Sequence, residues 1–126
     1  MKAHAPYKLL IVDDDEETLF NMHAFFKKKK YSVVSAPGGL EGLKAFDEEN
    51  GGFDIVITDL VMPNISGVGL IRILKKKKPE IPVIAITGWG EHPESLASEA
   101  MADLILAKPI DLLEIEQHIL ELCKKR

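Results

Sequence analysis

Five short runs rich in Val, Ile and Leu punctuate the chain at 8–12 (KLLIV), 31–35 (YSVVS), 53–58 (FDIVIT), 81–87 (IPVIAIT) and 103–107 (DLILA). Most are continuously apolar rather than alternating, which suits strands whose sheet is covered on both faces. The stretches between them carry helical spacing instead. From about 16 to 29, Leu19, His23 and Phe26 share one side, with Phe20 and Ala24 beside them. From about 40 to 49, Leu40, Leu43 and Phe46 line up, and from 68 to 77 Leu70, Ile71 and Leu74 do so. The last stretch, 112–123, places Leu112, Ile115, Ile119 and Leu122 along one stripe. A fourth helix, short and rich in small residues, is expected at about 93–101. Five strands alternating with five helices predict an α/β fold, a doubly wound parallel sheet with helices on both faces. Asn50-Gly51-Gly52 is expected to end the second helix, and Pro79 forbids continuation of the third. With no linker or repeat, the expectation is one domain over 1–126, its core at about 8–124.

Bulk properties exclude several function classes. A net charge of −4 gives no general attraction to nucleic acid or to an anionic membrane. No apolar run approaches the roughly 18 residues of a membrane helix, and MKAHAPYK lacks the apolar stretch of a secretion signal. The single cysteine, Cys123, cannot form an internal disulfide and reads as a packing residue. Together these predict a cytoplasmic chain that binds neither nucleic acid nor membrane.

In an open α/β sheet, ligands bind at the carboxyl ends of the strands. The first strand ends in Asp13-Asp14-Asp15, the third in Thr58-Asp59, the fourth in Thr87-Gly88 and the fifth in Lys108-Pro109. Asp15 suits the N-cap of the first helix. Asp13, Asp14 and Asp59 would instead crowd one rim, where like charges repel unless a cation intervenes. Mg²⁺ fits better than Ca²⁺, because few protein ligands are offered and water would complete an octahedron. Asp59 then reads as a nucleophile of the aspartyl-phosphate kind. Lys108 would supply a point charge, and Thr87 a hydroxyl donor, to the phosphoryl oxygens.

LLIVDD at 9–14, ITDLVMPNISG at 57–67, AITG at 85–88 and AKPI at 107–110 occur in that order and at workable spacings. With these motifs the chain resembles the receiver domains of two-component response regulators, from Lys8 to about Lys124. The resemblance implies a flavodoxin-like sheet of order 2-1-3-4-5. It further implies direct Mg²⁺ ligation by Asp14, Asp59 and the Val61 backbone carbonyl, with Asp13 acting through water, and a cis Lys108–Pro109 peptide. The phosphoryl donor would be a phosphohistidine on a histidine kinase or histidine phosphotransfer protein. Phosphorylation of Asp59 would draw Thr87, Gly88 and Lys108 inward and bias a pre-existing active state. The fourth helix, fifth strand and fifth helix would carry that change to a downstream protein target or kinase domain, or to a phosphorylation-dependent homodimer. Such a protein catalyses only its own phosphorylation and dephosphorylation.

Three positions depart from the family pattern. Ile105 stands where receivers usually carry an aromatic residue or His, which bears on conformational readout. Met101-Ala102-Asp103 replaces a glycine-containing turn, leaving the interval from Thr87 to Lys108 one residue short. Trp89 and Val61, each two places after a site residue, are apolar and would border the route of an attacking water, which predicts a long-lived phospho-form.

Other functions fit less well. A flavin-binding domain would need a hydroxyl-rich phosphate loop where this chain has DDDEE. A haloacid-dehalogenase-type phosphatase would need an acid two residues after Asp59, where Val61 stands, although Asp13-Asp14-Asp15 could in principle mimic that spacing. A degenerate receiver serving only as a docking module is the remaining alternative; the intact Asp14, Asp59, Thr87 and Lys108 set argues against it, and Ile105 argues mildly for it. The lysine runs at 27–30 and 75–78 read as helix ends that complement the helix dipole. The four histidines show no metal-ligand spacing.

Overall fold

A computed structural model describes residues 7–88 and 101–124. Five strands, β1 (Lys8–Val12), β2 (Ser32–Ala36), β3 (Ile55–Asp59), β4 (Val83–Thr87) and β5 (Leu104–Ala107), form one parallel sheet of order β2-β1-β3-β4-β5. This is the predicted flavodoxin-like order. Four helices accompany it among the described residues: α1 (Glu16–Lys28), α2 (Gly39–Glu48), α3 (Gly67–Lys77) and α4 (Leu112–Lys124). The helix expected at 93–101 lies outside the described residues except for Met101, which is not helical, and Trp89 lies outside them too. No helix is long and apolar enough to cross a membrane among them.

The apolar runs are continuous because alternate residues of each strand face different helical layers. Leu10, Val12, Val56, Val83 and Ala85 pack with Phe46, Leu70, Ile71 and Leu74 from α2 and α3. Leu9, Ile11, Ile55, Ile57, Ile84 and Ile86 pack with Met22 and Phe26 of α1 and with Ile115 and Ile119 of α4. Strands β3 and β4 are buried along their whole length.

The helix ends show ordinary capping chemistry. Asp15 caps α1, its Oδ2 accepting from the Thr18 amide at 3.1 Å, and the Thr18 hydroxyl bond holds its carboxyl below the usual range. Asn50 and Gly51, at φ 53° and 69°, end α2 as expected. Met101, on the approach to β5, adopts φ 60°, a left-handed conformation that suits glycine better than Met.

Two helical stripes differ from the spacing-based expectation. Met22 and Phe26 fill the inner side of α1 while Phe20 points to solvent, and Leu40 on α2 is exposed. His23, at the edge of the α1 stripe, meets the Ser35 hydroxyl at 2.5 Å. Cys123 is buried, as its place on the α4 stripe predicts.

The lysine run closing α3 does more than complement a dipole. Lys75 Nζ reaches the Ile81 carbonyl at 2.6 Å and Asp103 Oδ2 at 2.8 Å, and Lys78 Nζ donates to the Gly51 and Phe53 carbonyls at 2.9 Å. Asp103 Oδ2 also accepts from the Val83 amide at 2.7 Å, tying the entry of β5 to that of β4.

Glu116 is a carboxylate almost wholly buried between α1 and α4, and it is satisfied rather than orphaned. The Tyr31 hydroxyl donates to its Oε2 at 3.0 Å, and Lys29 lies 3.4 Å from Oε1. Burial, then the bond to Glu116, pushes the Tyr31 phenol well above its ordinary value. Deleting a hydrogen bond to a buried charged group costs about 1.5–3 kcal/mol. Tyr31→Phe is therefore expected to lower the unfolding free energy by that amount without shifting the denaturant slope, as measured by urea denaturation.

Candidate functional site

The carboxyl ends of the strands gather the charged residues at one edge of the sheet. Asp13 follows β1 directly, and its backbone amide still bonds to the Ala36 carbonyl of β2 at 3.1 Å, which holds it rigidly in the sheet's plane. Its side chain is fully buried. Oδ1 accepts from the Asp15 amide at 2.9 Å, whereas Oδ2 is buried with no hydrogen-bond partner among the described residues. Asp59 is the last residue of β3 and 5% exposed, and its Oδ1 accepts from the Val61 amide at 3.2 Å. Asp14 is exposed beside them, and one carboxylate oxygen from each of Asp13, Asp14 and Asp59 lies within 4.8 Å of the others.

Lys108 supplies the only nearby cation that the described residues offer to this group. It follows β5, its amide bonding the Thr87 carbonyl at 2.8 Å, so β4 and β5 end together. The Lys108–Pro109 peptide is cis, as the resemblance implies. The ammonium stands 3.2 Å from Asp59 Oδ2 and 3.9 Å from Asp13 Oδ2. Burial alone would depress its pKa, but Asp13 and Asp59 outweigh that and hold it above the ordinary lysine value. Thr87 closes β4, fully buried, with Gly88 half-buried after it.

The turn after β3 is shaped by one glycine. A Cβ at Gly67 would lie 2.0 Å from the Asp59 carbonyl oxygen and 2.5 Å from Leu60 Cα. Only glycine lets the first turn of α3 rest against the backbone of Asp59, and the Gly67 amide seals the contact by donating to the Leu60 carbonyl at 2.9 Å. Val61, between them, is 52% exposed. Ile105 lies in a single register row with Ala36, Val12, Thr58 and Ala85, partly buried on the α2–α3 side. A separate concavity of about 550 Å³, lined by Asp47, Asn50, Gly51 and Lys77 among others, sits at the opposite end of the sheet. It contains no cluster of like charges, and the converging chemistry belongs to the acidic rim.

The sequence located Asp13, Asp14, Asp59, Thr87, Gly88 and Lys108 at strand ends, and the structure brings these ends to one edge. The Thr58 hydroxyl and the Gly67 contact were not anticipated as parts of the site. Glycine in an N-I-S-G turn gives a hint of close approach; a Thr within an apolar strand gives none.

Comparison with known proteins follows the same line. Residues 9–120 match the response regulator receiver domain family. The transcriptional regulatory protein GlrR of Escherichia coli (strain K12) is 36% identical over 118 residues, which is 93% of this chain but 26% of that protein. The sensor kinase CckA of Brucella abortus (strain 2308) is 32% identical over 121 residues, 94% of this chain and 12% of the kinase. The chain thus spans about a quarter or less of these two relatives. A receiver domain protein from Clostridium thermocellum superposes with a TM-score of 0.86 at 32% identity, covering 94% of this chain and 95% of that one. The response regulator TrrA of Thermotoga maritima, solved in complex with Mg²⁺ and beryllium fluoride, gives a TM-score of 0.81 at 29% identity, with 92% and 98% covered.

The burial of the Asp13 carboxyl has an energetic consequence. Burial, opposed by the Asp15 amide and reinforced by Asp59, raises the Asp13 carboxyl from 3.8 to about 6. Since the folded value lies above the unfolded one, stability of the cation-free protein falls as pH climbs from about 4 through about 6. Asp13→Asn is therefore expected to be more stable than wild type by about 3 kcal/mol at neutral pH in a chelator, with the gain vanishing near pH 4. Denaturant unfolding across that range checks it, and equal stability at neutral pH would contradict it. Strand register, the acidic edge and the family match agree on one assignment: the chain belongs to the response regulator receiver domain family.

Proposed function

We propose that this chain accepts a phosphoryl group on Asp59 from a phosphohistidine donor and uses it as a reversible signal. The observation that carries the reading is the convergence of three carboxylates within 4.8 Å of one another, with the buried Asp13 Oδ2 accepting no hydrogen bond among the described residues. Such a group is costly unless a cation completes it. An all-oxygen donor set with so few protein ligands suits Mg²⁺, which Asp14, Asp59 and the Val61 carbonyl would hold, with Asp13 supporting it through water. When bound, Mg²⁺ would neutralise charge on the phosphoryl oxygens.

The chain's own residues do the rest. Asp59, pinned by the Val61 amide, presents a carboxylate oxygen to phosphorus, and the bond from phosphorus to the donor nitrogen breaks as the new one forms. Lys108, already 3.2 Å from Asp59, turns to a phosphoryl oxygen. Thr87, with Gly88 leaving room beside it, offers its hydroxyl to another. Their displacement shifts the ends of β4 and β5 and reaches the face formed by β5 and α4. Ile105, with no ring to rotate, passes the change on by packing. That face would meet a downstream protein or kinase domain, or a second copy of the chain. Phe20, Val61 and Leu113, exposed on segments that adjoin the acidic edge, support docking of a protein donor. The presence of similar segments in a transcriptional regulator and a sensor kinase is compatible with either setting. An aqueous, reducing compartment such as the cytoplasm suits the lone buried cysteine.

The alternative, a docking module that carries no phosphoryl group, makes the opposite prediction. Incubated with acetyl phosphate and Mg²⁺, the protein is expected to gain the mass of one phosphoryl group. Asp59→Asn and a chelator should each abolish the gain. With apolar Val61 beside the site, the phospho-form should persist for minutes or longer. Absence of any adduct supports the docking module, and a half-life of seconds contradicts the shielding assigned to Val61.

A further inference from the structure

Thr58 is the one polar side chain in the buried register row Ala36, Val12, Thr58, Ala85, Ile105. It is fully buried in the middle of the sheet, next to Val12 on one side and Ala85 on the other. Valine has the same shape and the stronger apolar character, so packing alone does not call for a hydroxyl here. The hydroxyl has a specific use. It donates to the backbone carbonyl of Asp59 at 2.9 Å, and this is the same carbonyl oxygen against which Gly67 packs.

We infer that Thr58 is a positioning residue for phosphoryl acceptance, acting through the backbone of Asp59; this rests on the function proposed above. Holding that carbonyl fixes the rotation of the Asp59–Leu60 peptide and therefore the direction in which the chain leaves β3. The next residues depend on that direction. The Leu60 amide donates to Ile86 of β4 at 2.9 Å, and the Val61 amide donates to Asp59 Oδ1 at 3.2 Å. The hydroxyl thus orients the nucleophilic carboxylate indirectly, by setting where the Val61 amide stands. It touches no reacting atom.

The test compares wild type, Thr58→Val and Thr58→Ser for the rate of phosphorylation by acetyl phosphate in Mg²⁺, followed by intact mass across donor concentrations. Loss of one hydrogen bond's orientation should lower the saturating rate about three- to tenfold in Thr58→Val. The half-saturating donor concentration should change less than twofold, because the donor contacts are untouched. Thr58→Ser, which keeps the hydroxyl and loses only a methyl, should recover the rate to within about twofold. Thermal unfolding should show both variants folded, with Thr58→Val at least as stable as wild type. A Thr58→Val rate equal to wild type overturns the inference, as does an equal loss in Thr58→Ser, which would make the methyl's packing the cause. A wild-type protein that takes no phosphoryl group overturns the proposed function and this inference together, so the two failures are distinguishable.

Discussion

Three carboxylates meeting at the edge of a parallel sheet, with Lys108 to oppose them, set the terms for the rest of this molecule. Coulomb repulsion between such groups is weak in water and grows steeply as water is removed. Here Asp13 is fully buried and Asp59 nearly so, while Lys108 reaches both. One ammonium cannot neutralise three carboxylates, and the surplus charge is left at a position that the backbone does not allow to relax. The Asp13 amide is still hydrogen-bonded into the sheet, and Asp59 ends a strand buried from end to end. Unfavourable electrostatics of this kind marks functional sites more often than structural ones, because a cation or an incoming anion–cation pair can relieve it.

The architecture is what makes the strain affordable. Each buried strand contributes apolar residues to both helical layers, so β1, β3 and β4 are anchored on two faces along their length. The opposite end of the sheet is stitched by neutral or paired contacts: Lys75 with Asp103, Lys78 with the Gly51 and Phe53 carbonyls, Lys77 with Asp47. Charge compensation is thus concentrated at one end and charge surplus at the other. The turn after β3 joins the two requirements. Gly67 allows α3 to abut the Asp59 backbone, and the Thr58 hydroxyl holds the same carbonyl from within the sheet.

Much of this was legible from the residues alone, for identifiable reasons. Continuous apolar runs suit strands covered on both faces, so the layer count and the parallel sheet followed from patterning, whereas the strand order came with the family resemblance. Strand ends are marked by abrupt changes from Val and Ile to Asp, Thr or Lys, which is why Asp13, Asp59, Thr87 and Lys108 could be placed at one edge. The misplaced positions have a common cause. Phe20 and Leu40 lie on helical stripes by spacing, yet which side of α1 or α2 turns inward is set by how the helix leaves its strand, and that is tertiary information. The bonds made by Lys75 and Lys78 reach residues distant in sequence, and Thr58 looks like any β-branched residue in a strand. No local pattern announces a hydroxyl whose value lies in the carbonyl it holds.

On the function proposed above, a cation and a phosphoryl group at Asp59 complete the acidic edge. Beryllium fluoride with Mg²⁺ mimics that state without covalent turnover, and Trp89, two residues beyond Thr87, is the chain's single tryptophan. Its fluorescence should change on addition of both components together, with a dependence on Mg²⁺ concentration, and should not respond in Asp59→Asn. An unchanged signal in the wild type, together with no gain in thermal stability from the same additions, would contradict the claim.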